Sequence, residues 1–109
     1  MRNPIRPIDE FTSKPFDFRK RPYGKIAVEY PYVTVRLRGT DILTINLDNR
    51  TVTLDSGGWS TKTTKKWMNE VMEMCSVPWR VYQHKNIWYV YNSITDENVR
   101  FYDGIELPY

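Results

Sequence analysis

At 109 residues, with 40% hydrophobic and 27% charged side chains, the chain has material for one core and about one domain, which excludes a disordered polymer. No run approaches the roughly 20 apolar residues of a membrane span, and the N-terminal MRNPIRPIDEF lacks the apolar segment of a signal peptide, so a soluble intracellular protein with no membrane contact is expected. The net charge of +3 is uneven: residues 1–23 carry six bases (Arg2, Arg6, Lys14, Arg19, Lys20, Arg21) against three acids, and the remainder carries ten of each, so the expected folded body lacks the basic excess of a dedicated nucleic-acid domain.

Residues 1–23 contain Pro4, Pro7, Pro15 and Pro22, spaced too closely for a helix. They read as an extended, basic, Pro-rich arm. Its Ile5, Ile8, Phe11, Phe16 and Phe18 are costly to leave in water, so the arm is expected to be tied to its own domain, a sister chain or a partner. Residues 24–109 form the single domain. From Lys25 the period is two: a short edge strand at Ile26–Tyr30 ends at Pro31, and in YVTVRLR the residues Val33, Val35 and Leu37 share one face. ILTINL and TVTLD continue the pattern around a tight turn at Asp48-Asn49-Arg50.

Ser56-Gly57-Gly58 then breaks the strand pattern. A helix is predicted over Thr61–Cys75, with Thr64, Trp67, Met68, Val71, Met74 and Cys75 as its apolar stripe and Lys62, Lys65, Lys66, Asn69, Glu70 and Glu73 on the opposite face. Ser60 or Thr61 can cap it, and Val77-Pro78 stops it. Strands follow at WRVYQH, at IWYVYN after a Lys85-Asn86 turn, and at VRFY after the loop SITDEN. The expected fold is α+β: an antiparallel sheet of about five to six strands, ordered meander, helix, meander, with the helix on one face and the arm extended. Tyr82, Trp88, Tyr89 and Tyr91 alternate along the last hairpin, so part of that set faces away from the helix as a second surface.

The residues of common catalytic sites are missing from the pattern. One cysteine, Cys75, and one histidine, His84, cannot supply a tetrahedral metal site or a nucleophilic triad; Cys75 reads as a small buried hydrophobe and His84 as a solvated residue beside a turn. GGWSTKTT has the composition of a phosphate loop, but Thr61 stands where that motif requires glycine before the lysine. The expectation is a non-enzymatic protein with no catalytic residues, no metal and no cofactor.

The charge order of the helix is inverted. Helix N-termini carry partial positive charge and favour acids, and C-termini favour bases, whereas here Lys62, Lys65 and Lys66 come first and Glu70 and Glu73 last. With the orphan N–H groups of the first turn and the hydroxyls of Thr61 and Thr63, these lysines read as an anion-binding end. Trp59, following two glycines, can stack on a base or anchor a partner, and Arg19, Lys20 and Arg21 of the arm add further positive charge. The alternative is that acids of the same chain, such as Asp55, neutralise the lysines internally.

The run VTLDSGGWSTKTTKKWMNEVM with IWYVY and VRFYDG resembles a family of small tailed-bacteriophage proteins. Gly58-Trp59, Thr61, Thr63, Thr64, Asn69 and Trp88-Tyr89-Val90 carry the likeness, over roughly residues 52–104. The resemblance implies the cytoplasm of an infected bacterium and a binding protein that modulates or inhibits a host protein or ribonucleoprotein complex, such as a nucleic-acid-handling CRISPR-type defence system. Two other readings stay open. One is direct nucleic-acid binding through the lysine end and the arm arginines. The other is a virion or scaffold component that forms a homo-oligomer by exchanging its arm.

Overall fold

The computed structural model describes residues 24–58 and 60–109; the expected arm over residues 1–23 and the side chain of Trp59 lie outside the described residues. Eight strands and one helix appear among them. These are β1 (Gly24–Glu29), β2 (Tyr32–Leu37), β3 (Thr40–Asn46), β4 (Thr51–Leu54), α1 (Lys62–Met74), β5 (Trp79–His84), β6 (Ile87–Asn92), β7 (Asn98–Arg100) and β8 (Ile105–Pro108). Every pairing is antiparallel, and the class is α+β, as the periodicity predicts.

The strands divide into two sheets, ordered β1-β2-β3-β4-β8 and β5-β6-β7. The second meander therefore does not extend the first. Instead the chain turns after the three-residue β7 and returns as β8 beside β4, pairing Ile105 with Leu54 and Leu107 with Val52. The periodicity reading ended the last strand at VRFY and left IELP unassigned. Its alternation is nevertheless that of a half-buried strand, Ile105 and Leu107 inward and Glu106 outward. Pro108, which has no N–H to give, is accommodated because β8 is a sheet edge.

Local chemistry makes the hairpins. Arg38 (φ 53°) with Gly39 (φ 82°) and Lys85 (φ 51°) with Asn86 (φ 67°) form two-residue left-handed turns, whose twist matches that of the strands they join. The carboxamide of Asn46 accepts the Asp48 and Asn49 N–H groups at 3.1 and 3.0 Å, and that of Asn92 accepts those of Ile94 and Thr95 at 2.8 and 3.0 Å. Each closes its turn without relying on strand bonds. The helix begins at Thr61, whose hydroxyl accepts the Thr64 N–H at 3.2 Å. It ends at Met74, one residue short of the predicted Cys75, because Ser76 takes a left-handed conformation (φ 59°). Ser76 N–H then reaches Glu73 O at 3.0 Å and Val77 N–H reaches Met72 O at 2.8 Å, a Schellman closure made with serine in place of glycine.

The core lies between the large sheet and α1. Val33, Val35, Leu37, Leu43, Ile45, Val52, Leu54, Ile105 and Leu107 face Trp67, Met68, Val71 and Met72, all buried. Trp67 explains the start of β1: a Cβ on Gly24 would lie 2.2 Å from the indole ring, so the ring occupies the space that only glycine leaves open. Met72, absent from the predicted stripe, is buried because α1 packs against β5 as well as against β2 and β3.

The same second contact moves Asn69 from the solvated face, where periodicity places it, to a structural position. Its Nδ2 donates to Val81 O at 2.9 Å and its Oδ1 accepts from Val81 N–H at 2.7 Å, so the carboxamide pairs with β5 as a neighbouring strand would. At the other end of the small sheet, Trp79 Nε1 donates to Pro108 O at 2.9 Å. Tyr109 is held by its N–H to Arg50 O at 2.9 Å and by the Arg50 guanidinium 4.8 Å above its ring, and burial pushes its phenol pKa up.

Two variants test this packing by urea unfolding. Gly24→Ala forces a methyl group into the Trp67 ring and should destabilise by about 1–3 kcal/mol; a midpoint at or above the parent's would contradict it. Asn69→Ala strands both main-chain groups of Val81 and should cost about 1–3 kcal/mol, with faster amide exchange at Val81.

Candidate functional site

α1 delivers the predicted lysines to one end of the molecule. Thr61 caps the helix, Lys62, Thr63 and Lys66 are exposed, and Lys65 is half-buried. The first turn holds no acid and the last no base, so the helix dipole opposes its own side chains, as read from the sequence. Trp59, Arg19, Lys20 and Arg21 lie outside the described residues.

Internal neutralisation by acids does not occur at Lys62 or Lys65: among the described residues neither is ion-paired with a carboxylate. Asp55, the expected neutraliser, uses its Oδ1 to accept the Gly57 N–H at 2.7 Å. Lys65 instead donates to the neutral Oε1 of Gln83 at 2.7 Å, with its ammonium 5.3 Å from the centroid of the Trp88 ring. An amide dipole and a π face hold the ammonium in place without cancelling its charge.

Beside Lys65 a cleft of about 380 Å³ opens between the loop before α1, the tip of the β5–β6 hairpin and the end of β7, lined by Ser56, Ser60, Gln83, Trp88, Arg100 and Asp103 among others. The loop wall is pinned from a distance. Asp103 Oδ1 accepts the Ser56 N–H at 2.8 Å, and Gly104 N–H reaches Leu54 O at 2.8 Å. Trp88, on the hairpin wall, is steadied by an edge contact with Phe101, centroids 5.2 Å apart. Of the residues predicted for the site, the fold brings Thr61, Thr63 and the lysines together, and it adds Gln83, Trp88 and Asp103. Those additions lie 18 or more residues from their partners in the helix and its loop, so no local pattern announces them.

This end gathers ammonium groups, hydroxyls, amides, an indole and, in the cleft wall, the side chains of Arg100 and Asp103. Among the described residues no group of three His, Cys, Asp or Glu side chains gathers as metal ligands, and no helix is long and apolar enough to cross a membrane. The ion pair Arg36–Asp41, 2.8 Å and solvent-exposed, lies on the large sheet between β2 and β3.

The pinned loop is testable. Asp103→Ala removes the acceptor of the Ser56 N–H and should cost about 1–2 kcal/mol in urea unfolding, with faster amide exchange at Ser56. Asp103→Asn, which keeps an acceptor oxygen, should recover most of the loss.

The family described as Kyanoviridae Gp96 protein matches residues 21–108. No curated protein and no solved structure gives a significant match. The chain belongs to the Kyanoviridae Gp96 family, a phage protein family.

Proposed function

We propose, on the premise of this phage family membership, that the protein is a non-enzymatic binding protein that docks the lysine-bearing start of α1 on an acidic surface of a host complex and modulates or inhibits that complex. The observation that carries the reading is electrostatic. Lys62 and Lys65 stand at the positive end of a helix dipole without a carboxylate partner among the described residues, an arrangement that an incoming anion relieves. The fixed ammonium of Lys65 supports it further, because a charge already held by Gln83 and Trp88 loses little rotamer entropy on docking.

Under this reading the host complex is a nucleic-acid-handling defence system such as an RNA-guided nuclease, whose acidic or nucleic-acid-lined surfaces have the required sign. The cytoplasm of the infected bacterium is the place of action under this reading.

The triple variant Lys62→Glu, Lys65→Glu, Lys66→Glu is the direct test. It should keep the parent's circular dichroism spectrum and a similar thermal midpoint, while retention of the host complex in pull-downs from bacterial lysate falls at least tenfold. Undiminished retention would refute the lysine end as the docking surface, and loss of the retained complex on nuclease treatment would reassign the partner to nucleic acid.

A further inference from the structure

The small sheet turns one face to α1 and the other to solvent. Val81 pairs with Val90 and Val90 with Val99, and these form the covered face, buried or half-buried. The alternate rows therefore point outward. Tyr82 pairs with Tyr89 and Tyr89 with Arg100; the next row is Arg80, Tyr91 and Asn98.

We propose that this outer face of β5–β7 binds single-stranded nucleic acid, bases stacking on Tyr82 and Tyr89 and a phosphate seated at Arg100. The tyrosine platform does not line the cleft beside Lys65, whereas Arg100 borders both. The first support is the aromatic platform: the Tyr82 and Tyr89 rings are 5.4 Å apart and 22° from parallel, and Tyr82 is 36% exposed. The Tyr82 hydroxyl donates to Asn98 Oδ1 at 2.9 Å, so the ring is held in a fixed attitude instead of collapsing onto the surface. Flat, preset rings suit unpaired bases, every one of which has a π face; in a duplex those faces are already stacked on one another.

The second support is charge. Arg100 is exposed and makes no hydrogen bond, ion pair or ring contact among the described residues, although it closes the row that begins with the two tyrosines. Arg80, by contrast, donates to the Val77 and Trp79 carbonyls. The strand positions of this face carry no carboxylate. The acids nearby are Asp96 and Glu97 of the β6–β7 loop, engaged by the Tyr91 and Thr95 hydroxyls, and Asp103, which lines the same cleft as Arg100 and accepts the Ser56 N–H. A surface of tyrosine rings with an available guanidinium and no carboxylate in its strand rows complements a polyanion of planar bases better than an acidic or apolar protein surface. The row from Tyr82 to Arg100 crosses two strand spacings, about 10 Å, and the second row lies about 7 Å along the strands, room for two or three nucleotides.

The test is a fluorescence-anisotropy titration of the full chain against labelled dT15, rU15 and a 15-base-pair duplex at low and moderate salt. Binding to the single strands, weaker for the duplex and falling with salt, is expected. Tyr82→Ala should weaken it at least fivefold, the effect of removing one stacking platform, whereas Tyr82→Phe, which keeps the ring and loses the Asn98 bond, should stay near the parent. Arg100→Ser should weaken binding and lower the salt slope by about one. The Lys62, Lys65, Lys66 triple variant should still prefer single strands over duplex, which separates failure of this site from failure of the lysine end. The proposal is overturned by absent binding at low salt, by a preference for duplex, or by unchanged affinity in Tyr82→Ala and Arg100→Ser with parental unfolding midpoints. Self-association through the face without oligonucleotide binding would also overturn it.

Discussion

Two antiparallel sheets that share no ladder need joints, and beside the direct Trp79–Pro108 bond this chain sets its helix on the small sheet through one carboxamide. Asn69 gives β5 the donor and acceptor that a neighbouring strand would supply, both within 2.9 Å, while Trp67, Met68 and Val71 of the same helix are buried in the core with the large sheet. Hydrophobic burial alone fixes which side of α1 faces inward but tolerates sliding and small rotations, because it is non-directional. A bidentate bond to one residue of β5 does not tolerate them. The helix is thereby set in both height and azimuth against the small sheet.

That setting determines where the positive charge goes. Lys65 precedes Asn69 by one helical turn and so lies on the same side of α1, about 6 Å toward its start. Gln83 follows Val81 by two strand residues, about 6.7 Å along β5. The two steps nearly match and run in opposite chain directions, so registering Asn69 on Val81 brings Lys65 onto Gln83, where the 2.7 Å bond is found. Placement of the ammonium over Trp88 is thus a consequence of the joint. The acids that could have neutralised this end are employed elsewhere: Asp55 and Asp103 both accept loop N–H groups, which shape the approach to α1 while leaving Lys62 and Lys65 unmatched by carboxylates among the described residues.

The lysine end and the outer face of the small sheet differ in chemistry and meet at Arg100, which also lines the cleft. The lysine end offers charge on a helix dipole beside a polar cleft. The outer face of the small sheet offers stacked rings and a guanidinium. Membership of a phage family sets the biological frame for both.

Local structure was legible wherever a rule acts within a few residues. Alternation at Val33, Val35 and Leu37 marked a strand, the two-residue turn at Lys85-Asn86 a hairpin, and Ser60 or Thr61 a helix cap; the strand and the hairpin are present, and the structure selects Thr61 as the cap. The inverted charge of α1 was equally plain, since dipole and side chains belong to one element. What only the tertiary structure decided was which edges meet. Unpaired N–H and C=O groups look alike along any strand, so nothing local in IELP says that it returns to β4, or that Asn69 would occupy the edge of β5. Those choices follow from which apolar faces can be buried together, a property of the assembled chain. The same reason hid Met72, buried only once α1 packs on β5, and Gln83 and Asp103, whose roles exist only after segments 18 or more residues apart have been packed side by side.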